Sequence, residues 1–434
     1  MRDIAIGIVG AGTVGGGVVK ILHKRIDHIR NELGLPIRLA RIVDKDGTRL
    51  SKLPSACGAV CSADPEDILR DNSIQIVIEL VGGTTFAKEL VLSALSRKKH
   101  VITANKALLA EHGPQIFEAA AKSGVSVYFE AAVGGGMPVI KAIREGLVGN
   151  DIFSVTTIIN GTCNYILSKM TDEGMAFADV LKETQEKGFA EADPTLDVGG
   201  GDTGHKIAIL ASLVSGGYVP YRSISIEGIT AIGKEDISFA RELGYTIKLL
   251  GIIKKNAPDG ELDVRVHPAM LHGNHILASV SDAYNAVLLE GDAVGQILLY
   301  GKGAGEMPTA SAVVSDIVDV ARDILGASAV RVPMHWYSTS RTMQVKPINT
   351  VIGRYYLRFT VVDRPGVFAS IAGHLGKEGI SLASVMQKEG FADKGVPVII
   401  LTHAAAEKNL RTALTHIEAM DYIKGRTQVI RIEE

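Results

Sequence analysis

Cysteine is scarce in this 434-residue chain, which holds only Cys57, Cys61 and Cys163. Three are too few for a disulfide framework, and no His/Cys group falls at zinc-ligand spacing. His267, His272 and His275 lie near one another but fit no metal-ligand pattern, and they read as structural. An excess of charge of one sign is missing too: 46 Lys and Arg stand against 48 Asp and Glu, a net charge of −2. Nucleic acid and anionic membrane are therefore not expected as partners. No apolar run reaches the roughly 18 residues that suggest a membrane span, and no charged leader with a cleavage site opens the chain, so a cytoplasmic location is expected. Apolar residues make up 46% of the chain, enough for about three domains with full cores.

The most chemistry-rich stretch runs from Gly188 to Lys206 and carries Glu191, Asp193, Asp197 and Asp202 as well as the lysine. Asp193-Pro194 and the glycines 199 to 201 interrupt regular structure, while Ile207, Leu210, Ala211 and Val214 recur at helical spacing. A helix is thus expected from about Asp202, placing Asp202 and Lys206 one turn apart, where the carboxylate can orient the ammonium for proton transfer. The plainer alternative makes Asp202 a helix N-cap and Lys206 its solvated partner. Against it, a lysine in a first turn faces the unfavourable end of the helix dipole, and Lys206 runs straight into apolar sequence.

The N-terminal segment has strand, turn and helix in the order of a dinucleotide fingerprint. A β-branched run from Ile4 leads into Gly10-Ala11-Gly12-Thr13-Val14-Gly15, and amphipathic sequence follows through Ile29. Gly10 allows the tight turn, Gly12 admits the pyrophosphate to the backbone, and Gly15 lets helix pack on strand. A second strand, 37–43, ends at Asp44, where a carboxylate meets an adenosine ribose and favours NAD; Arg41, Lys45 and Arg49 leave NADP equally open. Alternation of strands and helices continues through strands 74–80 and 100–103, which implies a doubly wound parallel sheet. Its carboxyl ends would turn Gly82-Gly83-Thr84 and Thr103-Ala104-Asn105-Lys106 toward the cofactor, with Lys106 at the junction of nicotinamide and substrate. A strand 125–130 then runs into the glycine-rich loop 131–138, whose freed carbonyls beside Glu130 suit a monovalent cation or form a plain irregular loop.

These motifs, with Asn160-Gly161-Thr162-Cys163-Asn164-Tyr165, Gly301-Lys-Gly303-Ala-Gly305 and above all Asp193-Pro-x-x-Asp197-Val-x-Gly-x-Asp202-x-x-x-Lys206, resemble the homoserine dehydrogenase family over roughly residues 1 to 345. The resemblance implies that Lys206 moves the proton at the alcohol or aldehyde oxygen, with Asp202 beside it, and that Glu191, Asp197, Thr162 and Lys106 bind L-homoserine or L-aspartate 4-semialdehyde. It implies NAD or NADP held at Gly10 to Gly15, Asp44, Thr103, Lys106, Gly188, Gly303 and Gly305, and a sodium ion at Glu130, Val133, Gly135 and Met137. Two positions depart from the family pattern: Thr184, where alanine is usual, and Thr84-Thr85-Phe86, which replaces a proline-containing turn. The chemistry agrees, because alcohol oxidation needs one acid/base group beside the hydride acceptor. An acylating mechanism would need a nucleophilic cysteine, and Cys163 has no neighbouring histidine to activate it.

After residue 140 the sequence changes character, with strand-rich stretches at 152–159 and 246–266 and an amphipathic helix, 311–325, expected to return to the first domain. The last segment alternates as βαββαβ: strand 354–362, helix 367–377, strands 380–387 and 396–403, helix 406–420 and strand 427–432. With its Asp363-Arg-Pro-Gly366 turn it resembles an ACT domain, an amino-acid-sensing module. The expected organisation is an α/β chain with a Rossmann-type domain (1–140), an α+β catalytic and dimerisation domain (141–310), a returning helix and linker (311–352) and a ferredoxin-like regulatory domain (353–434). The first hypothesis is a homoserine dehydrogenase acting as a homodimer or homotetramer and answering a threonine-like effector. The alternatives are another amino-acid semialdehyde reductase, or a nucleotide-binding sensor without important turnover; intact Glu191, Asp202 and Lys206 favour the first.

Overall fold

The computed structural model describes residues 3–54, 58–188, 190, 192–255, 260–326, 338–387 and 395–434. Its first sheet is parallel, with strands β1 (Ile4–Val9), β2 (Ile37–Val43), β3 (Val60–Ser62), β4 (Ile74–Glu79), β5 (His100–Thr103) and β6 (Val127–Tyr128) in the order β3-β2-β1-β4-β5-β6. That order is the dinucleotide-binding one, with its crevice where the winding reverses between β1 and β4. Every residue of β1 is buried, as a central strand covered on both faces requires. Helix Thr13–Asn31 follows β1 directly, and a Cβ on Gly15 would fall 2.0 Å from the Gly10 carbonyl oxygen, so only glycine fits that helix against that turn.

Helix Glu306–Leu325, longer at its start than the expected 311–325, lies along helix Thr13–Asn31, where a Cβ on Gly17 would meet Ala310 at 2.9 Å. Its buried face carries three aspartates. Asp316 accepts from the backbone N–H of Glu130, Asp319 from Lys141 Nζ, and Asp323 from the Tyr128 hydroxyl. These bonds explain a difference from the expected strand 125–130: only Val127–Tyr128 pairs with the sheet, because the Glu130 amide is drawn to the returning helix and 130–132 closes into a single 3₁₀ turn.

The second sheet contains β7 (Ile152–Ile158), β9 (Ser225–Ile226), β10 (Tyr245–Lys255), β11 (Leu262–His272), β12 (Tyr284–Gly291), β13 (Gly295–Lys302), β15 (Ile352–Val361), β16 (Leu382–Gln387), β17 (Val396–Thr402), β18 (Ala405–Ala406) and β19 (Gln428–Glu433). Two short strands, β8 (Gly217–Tyr218) and β14 (Ser338–Thr342), form a separate pair that ties the expected linker to the middle of the chain. The hairpin β12–β13 was not foreseen; β12 has an apolar run, but nothing nearby reveals that it pairs with β7. Among the C-terminal elements the sheet order is β19-β15-β17-β16, the ferredoxin-like arrangement of a βαββαβ unit.

This unit does not stand apart. Strand β19 pairs in parallel with β11 at Ala269–Arg431, Met270–Ile432 and Leu271–Glu433, making one sheet of both bodies. Buried charges reinforce the seam. Arg431 donates to both oxygens of Glu227 at 2.9 Å and also to Glu407, Arg265 reaches Glu433 at 2.7 Å, and Arg358 and the Tyr356 hydroxyl converge on fully buried Asp236. Within this network His267 is buried and held well below the usual imidazole range, to about 3, by burial and by the guanidinium of Arg431. It stays neutral, as a structural histidine should. Among the described residues no helix is long and apolar enough to cross a membrane, and no group of His, Cys, Asp and Glu has the arrangement of a metal site.

Candidate active site

Two segments of the second body converge on one point. Strand β7 ends in Ile159 and Asn160, and Asn160 caps helix Gly161–Glu173 by accepting from the Cys163 backbone N–H at 2.7 Å. The Gly188 to Lys206 segment forms a single turn of helix at Thr195–Val198 before helix Gly201–Ser215. Asp193 accepts from the Thr195 N–H and so starts that turn, which lies between the interruptions expected at 193–194 and 199–201. The cap of helix Gly201–Ser215 is Gly200, at φ +83°, which frees Asp202 from capping.

Asp202 and Lys206 are both buried, and Lys206 Nζ donates at 2.7 Å to Asp202 Oδ2 and at 2.7 Å to the Ile159 carbonyl. Asn160 uses its single amide nitrogen to hold two carboxylates, donating to Asp197 Oδ1 at 2.7 Å and Asp202 Oδ2 at 2.9 Å. From the first body, Lys106 begins helix Lys106–Ser123 just beyond β5 and places Nζ 2.9 Å from Asp202 Oδ1. Asp202 therefore links the parallel-sheet body, through Lys106, to the buried Lys206.

Electrostatics follow this packing. Burial works against ionisation of Asp202, yet the Lys206 and Lys106 ammoniums outweigh it and hold the carboxyl well below its ordinary range. Asp197 is displaced upward, first by burial and then by repulsion from Asp202, so it favours a cationic neighbour. Burial and the same two carboxylates push the Cys163 thiol well above its ordinary value, and its Sγ donates to the Asp197 carbonyl at 3.2 Å. A thiol in that setting is no nucleophile. Thr162 lies in the first turn of the helix capped by Asn160, beside this cluster in sequence; Glu191 lies outside the described residues.

On the cofactor side, helix Thr13–Asn31 has no side-chain cap, so its first N–H groups remain available for a phosphate. A Cβ on Gly12 would meet nothing nearer than Arg49 at 3.8 Å, which leaves open space in front of the turn. Asp44 accepts from the Ala11 N–H at 2.7 Å and lies 3.7 Å from the Arg49 guanidinium, so one carboxylate is fixed between the fingerprint and a cation. These residues fit a dinucleotide. The buried Thr103 hydroxyl donates to Glu79, whose carboxyl burial shifts upward, and Asn105 donates to the Gly83 carbonyl. Gly303 and Gly305 lie between β13 and the returning helix; a Cβ on Gly135 would fall 2.5 Å from the Gly303 backbone. Gly188, at φ +76°, follows helix Phe177–Glu186. The departure at Thr184 is locally satisfied, because its buried hydroxyl donates to the Val180 carbonyl.

With two bodies meeting through Lys106 and Asp202, the likeness to known proteins can be placed on this geometry. Residues 10–130 match the model described as "Homoserine dehydrogenase, NAD binding domain" and residues 138–318 the one described as "Homoserine dehydrogenase". The chain is 43% identical over 435 residues to homoserine dehydrogenase of Neisseria gonorrhoeae, covering 100% of this chain and 99% of that protein. It is also 43% identical over 437 residues to that of Pseudomonas aeruginosa, covering 100% of each. The chain belongs to the homoserine dehydrogenase family. A solved homoserine dehydrogenase from Thiobacillus denitrificans superposes with a TM-score of 0.93 at 44% identity, over 100% of this chain and 99% of that one. The family makes the chain an NAD(P)-dependent oxidoreductase.

Sequence reasoning missed three participants. Asn160 and the Ile159 carbonyl order the carboxylates and the ammonium; the Asn-Gly turn before a helix was the available signal. His205, between Asp202 and Lys206, stacks on Tyr221 with ring centroids 4.2 Å apart and lies 3.6 Å from Glu111. Burial lowers its pKa, so the ring is neutral near pH 7.

Proposed function

We propose that the enzyme interconverts L-homoserine and L-aspartate 4-semialdehyde with NAD or NADP, on the route to threonine, methionine and isoleucine. The observation that carries the reading is the chain Lys106–Asp202–Lys206, which links the dinucleotide half to a buried, hydrogen-bonded ammonium. A bound dinucleotide would supply the hydride acceptor for the alcohol carbon. Lys206 Nζ takes the hydroxyl proton in oxidation and returns it in reduction, while Asp202 and the Ile159 carbonyl fix its direction. Asp197, with Glu191 and Thr162, receives the substrate's ammonium end, which answers the crowding of Asp197 against Asp202. Lys106 stands at the junction of cofactor and substrate. Gly10 to Gly15 with Asp44 hold the pyrophosphate and ribose, and Thr103, Gly188, Gly303 and Gly305 complete the cofactor side.

The loop at Glu130, Val133, Gly135 and Met137 would hold a sodium ion through backbone carbonyls. Among the described residues, the Val133 and Gly135 carbonyls accept no backbone hydrogen bond, which supports that use. The Glu130 carboxylate contributes indirectly, by accepting from the Ile140 and Lys141 N–H groups and holding the loop closed. Residues 353–434 act as an ACT-type domain that answers a threonine-like amino acid, in a homodimer or homotetramer. Initial rates with homoserine against NAD and against NADP test the activity; absence of turnover with both overturns it.

A further inference from the structure

Helix Lys106–Ser123 of the parallel-sheet body packs against helix Gly201–Ser215, and the two bodies meet there at more than the Lys106–Asp202 contact. Five residues after Lys106, Glu111 places Oε1 3.6 Å from His205 Nε2. One residue before Glu111, the Ala110 carbonyl accepts from the Tyr218 hydroxyl at 3.2 Å. His205 is three residues after Asp202 and one before Lys206, so a hold on its ring is a hold on the turn that presents both. The imidazole lies within electrostatic reach of Asp202 and Lys106 as well as Glu111.

A histidine is unfavourable at that position unless one of its nitrogens is used. Its side chain is only 7% exposed, and the ring stacks on Tyr221. A phenyl ring could make the same stack without burying polar atoms. Kept neutral by burial, the imidazole carries one N–H, and Nδ1 is buried with no hydrogen-bond partner among the described residues. Leaving a polar atom in that state costs about 1–3 kcal/mol. The tautomer protonated at Nε2 turns its N–H toward the Glu111 carboxylate, and that contact is what an imidazole supplies here and a phenyl ring does not. At 3.6 Å the attraction is electrostatic rather than a full hydrogen bond, and burial of the ring strengthens it. The Glu111 carboxylate also faces the Tyr218 and Tyr221 hydroxyls, so the seam gathers around one acidic side chain.

We propose that His205 and Glu111 are a positioning pair: by joining helix Lys106–Ser123 to helix Gly201–Ser215 beside the Lys106–Asp202 contact, they set the Lys206 ammonium against the hydride acceptor held by the parallel-sheet body. The proposal rests on the reading of Lys206 as the acid/base group, and it gives the alignment of that group a cause. The test uses the full-length enzyme oxidising L-homoserine with whichever of NAD and NADP supports turnover, beside NADPH titration by fluorescence and thermal unfolding. The variants are His205→Phe, Glu111→Ala, their double and Glu111→Gln. His205→Phe keeps the stack on Tyr221, and the Glu111 side chain is 42% exposed, so the fold should persist in each. A misplacement of about 1 Å can cost about 10²-fold in rate, and with Lys106–Asp202 intact a loss of about tenfold in kcat is expected in each of His205→Phe and Glu111→Ala. KM for homoserine should change less than kcat, and the NADPH dissociation constant and thermal midpoint should stay near parental. The double variant should be no slower than either single one, because the two side chains act as one contact. Glu111→Gln, which keeps an acceptor oxygen, should lose less than Glu111→Ala. Parental kcat in both single variants would overturn the pairing, as would losses that multiply in the double variant or that fall on KM alone. A parental enzyme that fails to oxidise homoserine would overturn the functional reading and this proposal together, which separates that failure from one confined to the variants.

Discussion

Replacing Lys206 with methionine removes the ammonium but keeps most of the unbranched stem, so it isolates proton transfer from packing. In the parental enzyme that ammonium donates to Asp202 and to the Ile159 carbonyl, both at 2.7 Å. After the change Asp202 still keeps Lys106 at 2.9 Å and Asn160 at 2.9 Å, so its charge is not stranded. The stability cost should stay near that of one buried charged hydrogen bond, about 1.5–3 kcal/mol. Turnover is another matter. A positioned acid/base group contributes about two to four decades, equivalent to about 3–5 kcal/mol of barrier. Steady-state oxidation of homoserine should therefore fall by about 10²–10⁴, while the dissociation constant for NADPH, measured by fluorescence titration, changes little, because neither partner of Lys206 lies in the fingerprint turn. Parental turnover in Lys206→Met would refute the assignment. So would a loss of cofactor affinity large enough to account for the whole loss of rate.

Two further outcomes are expected. Asn160→Asp keeps the acceptor that caps helix Gly161–Glu173 but sets a third carboxylate against Asp197 and Asp202; kcat should fall at least tenfold with the NADPH dissociation constant nearly unchanged, and equal kcat would show that the amide bridge is dispensable. Lys248 lies buried in β10 with its ammonium on the Val280 carbonyl, and burial lowers its pKa from 10.5 to about 8. Its folded pKa is below its unfolded one, so the unfolded chain binds more protons between pH 8 and 10.5, and this group makes stability rise with pH across that window. The shift corresponds to about 3 kcal/mol at most. Thermal midpoints of the parental protein and Lys248→Met at pH 8 and pH 10 should diverge accordingly, and parallel curves would remove Lys248 as the cause.

Much of the fold is readable locally. Strand β2 (Ile37–Val43) and helix Val367–Lys377 begin and end where the residue pattern places them, because β-branched runs, glycine turns and apolar spacing act within a few residues. What escaped depends on distant partners. Residues Glu130–Ala132 leave the strand because Asp316, nearly two hundred residues later, takes the Glu130 amide. Buried aspartates on an amphipathic helix were a signal for such tethering, since a buried carboxylate demands a donor, although the donor could not be named from sequence. The Asp202–Lys206 pair was visible from its spacing of four. Its connection to Lys106 was not, because no periodicity crosses from one body to another.

The junction of β11 and β19 decides how the role of the C-terminal unit can be studied. Removal of residues 353–434 is the natural way to test what the terminal βαββαβ unit contributes, and the sequence invites it by presenting that unit after a linker. The structure argues otherwise. Excision would bare the β11 edge at Ala269–Leu271, take Arg358 from fully buried Asp236, and leave Arg265 and Glu227 without Glu433 and Arg431. Breaking one buried pair by removing one partner costs about 3–5 kcal/mol, and several would break together. A truncated chain that loses activity would then report unfolding of the catalytic body rather than loss of control. The same continuity joins the C-terminal unit to the helix of Lys206: Glu227 pairs with Arg431 through its side chain, and its carbonyl packs against Gly200, the cap of that helix. Point substitutions within the C-terminal unit leave that contact in place, and for that reason they can test the unit where deletion cannot.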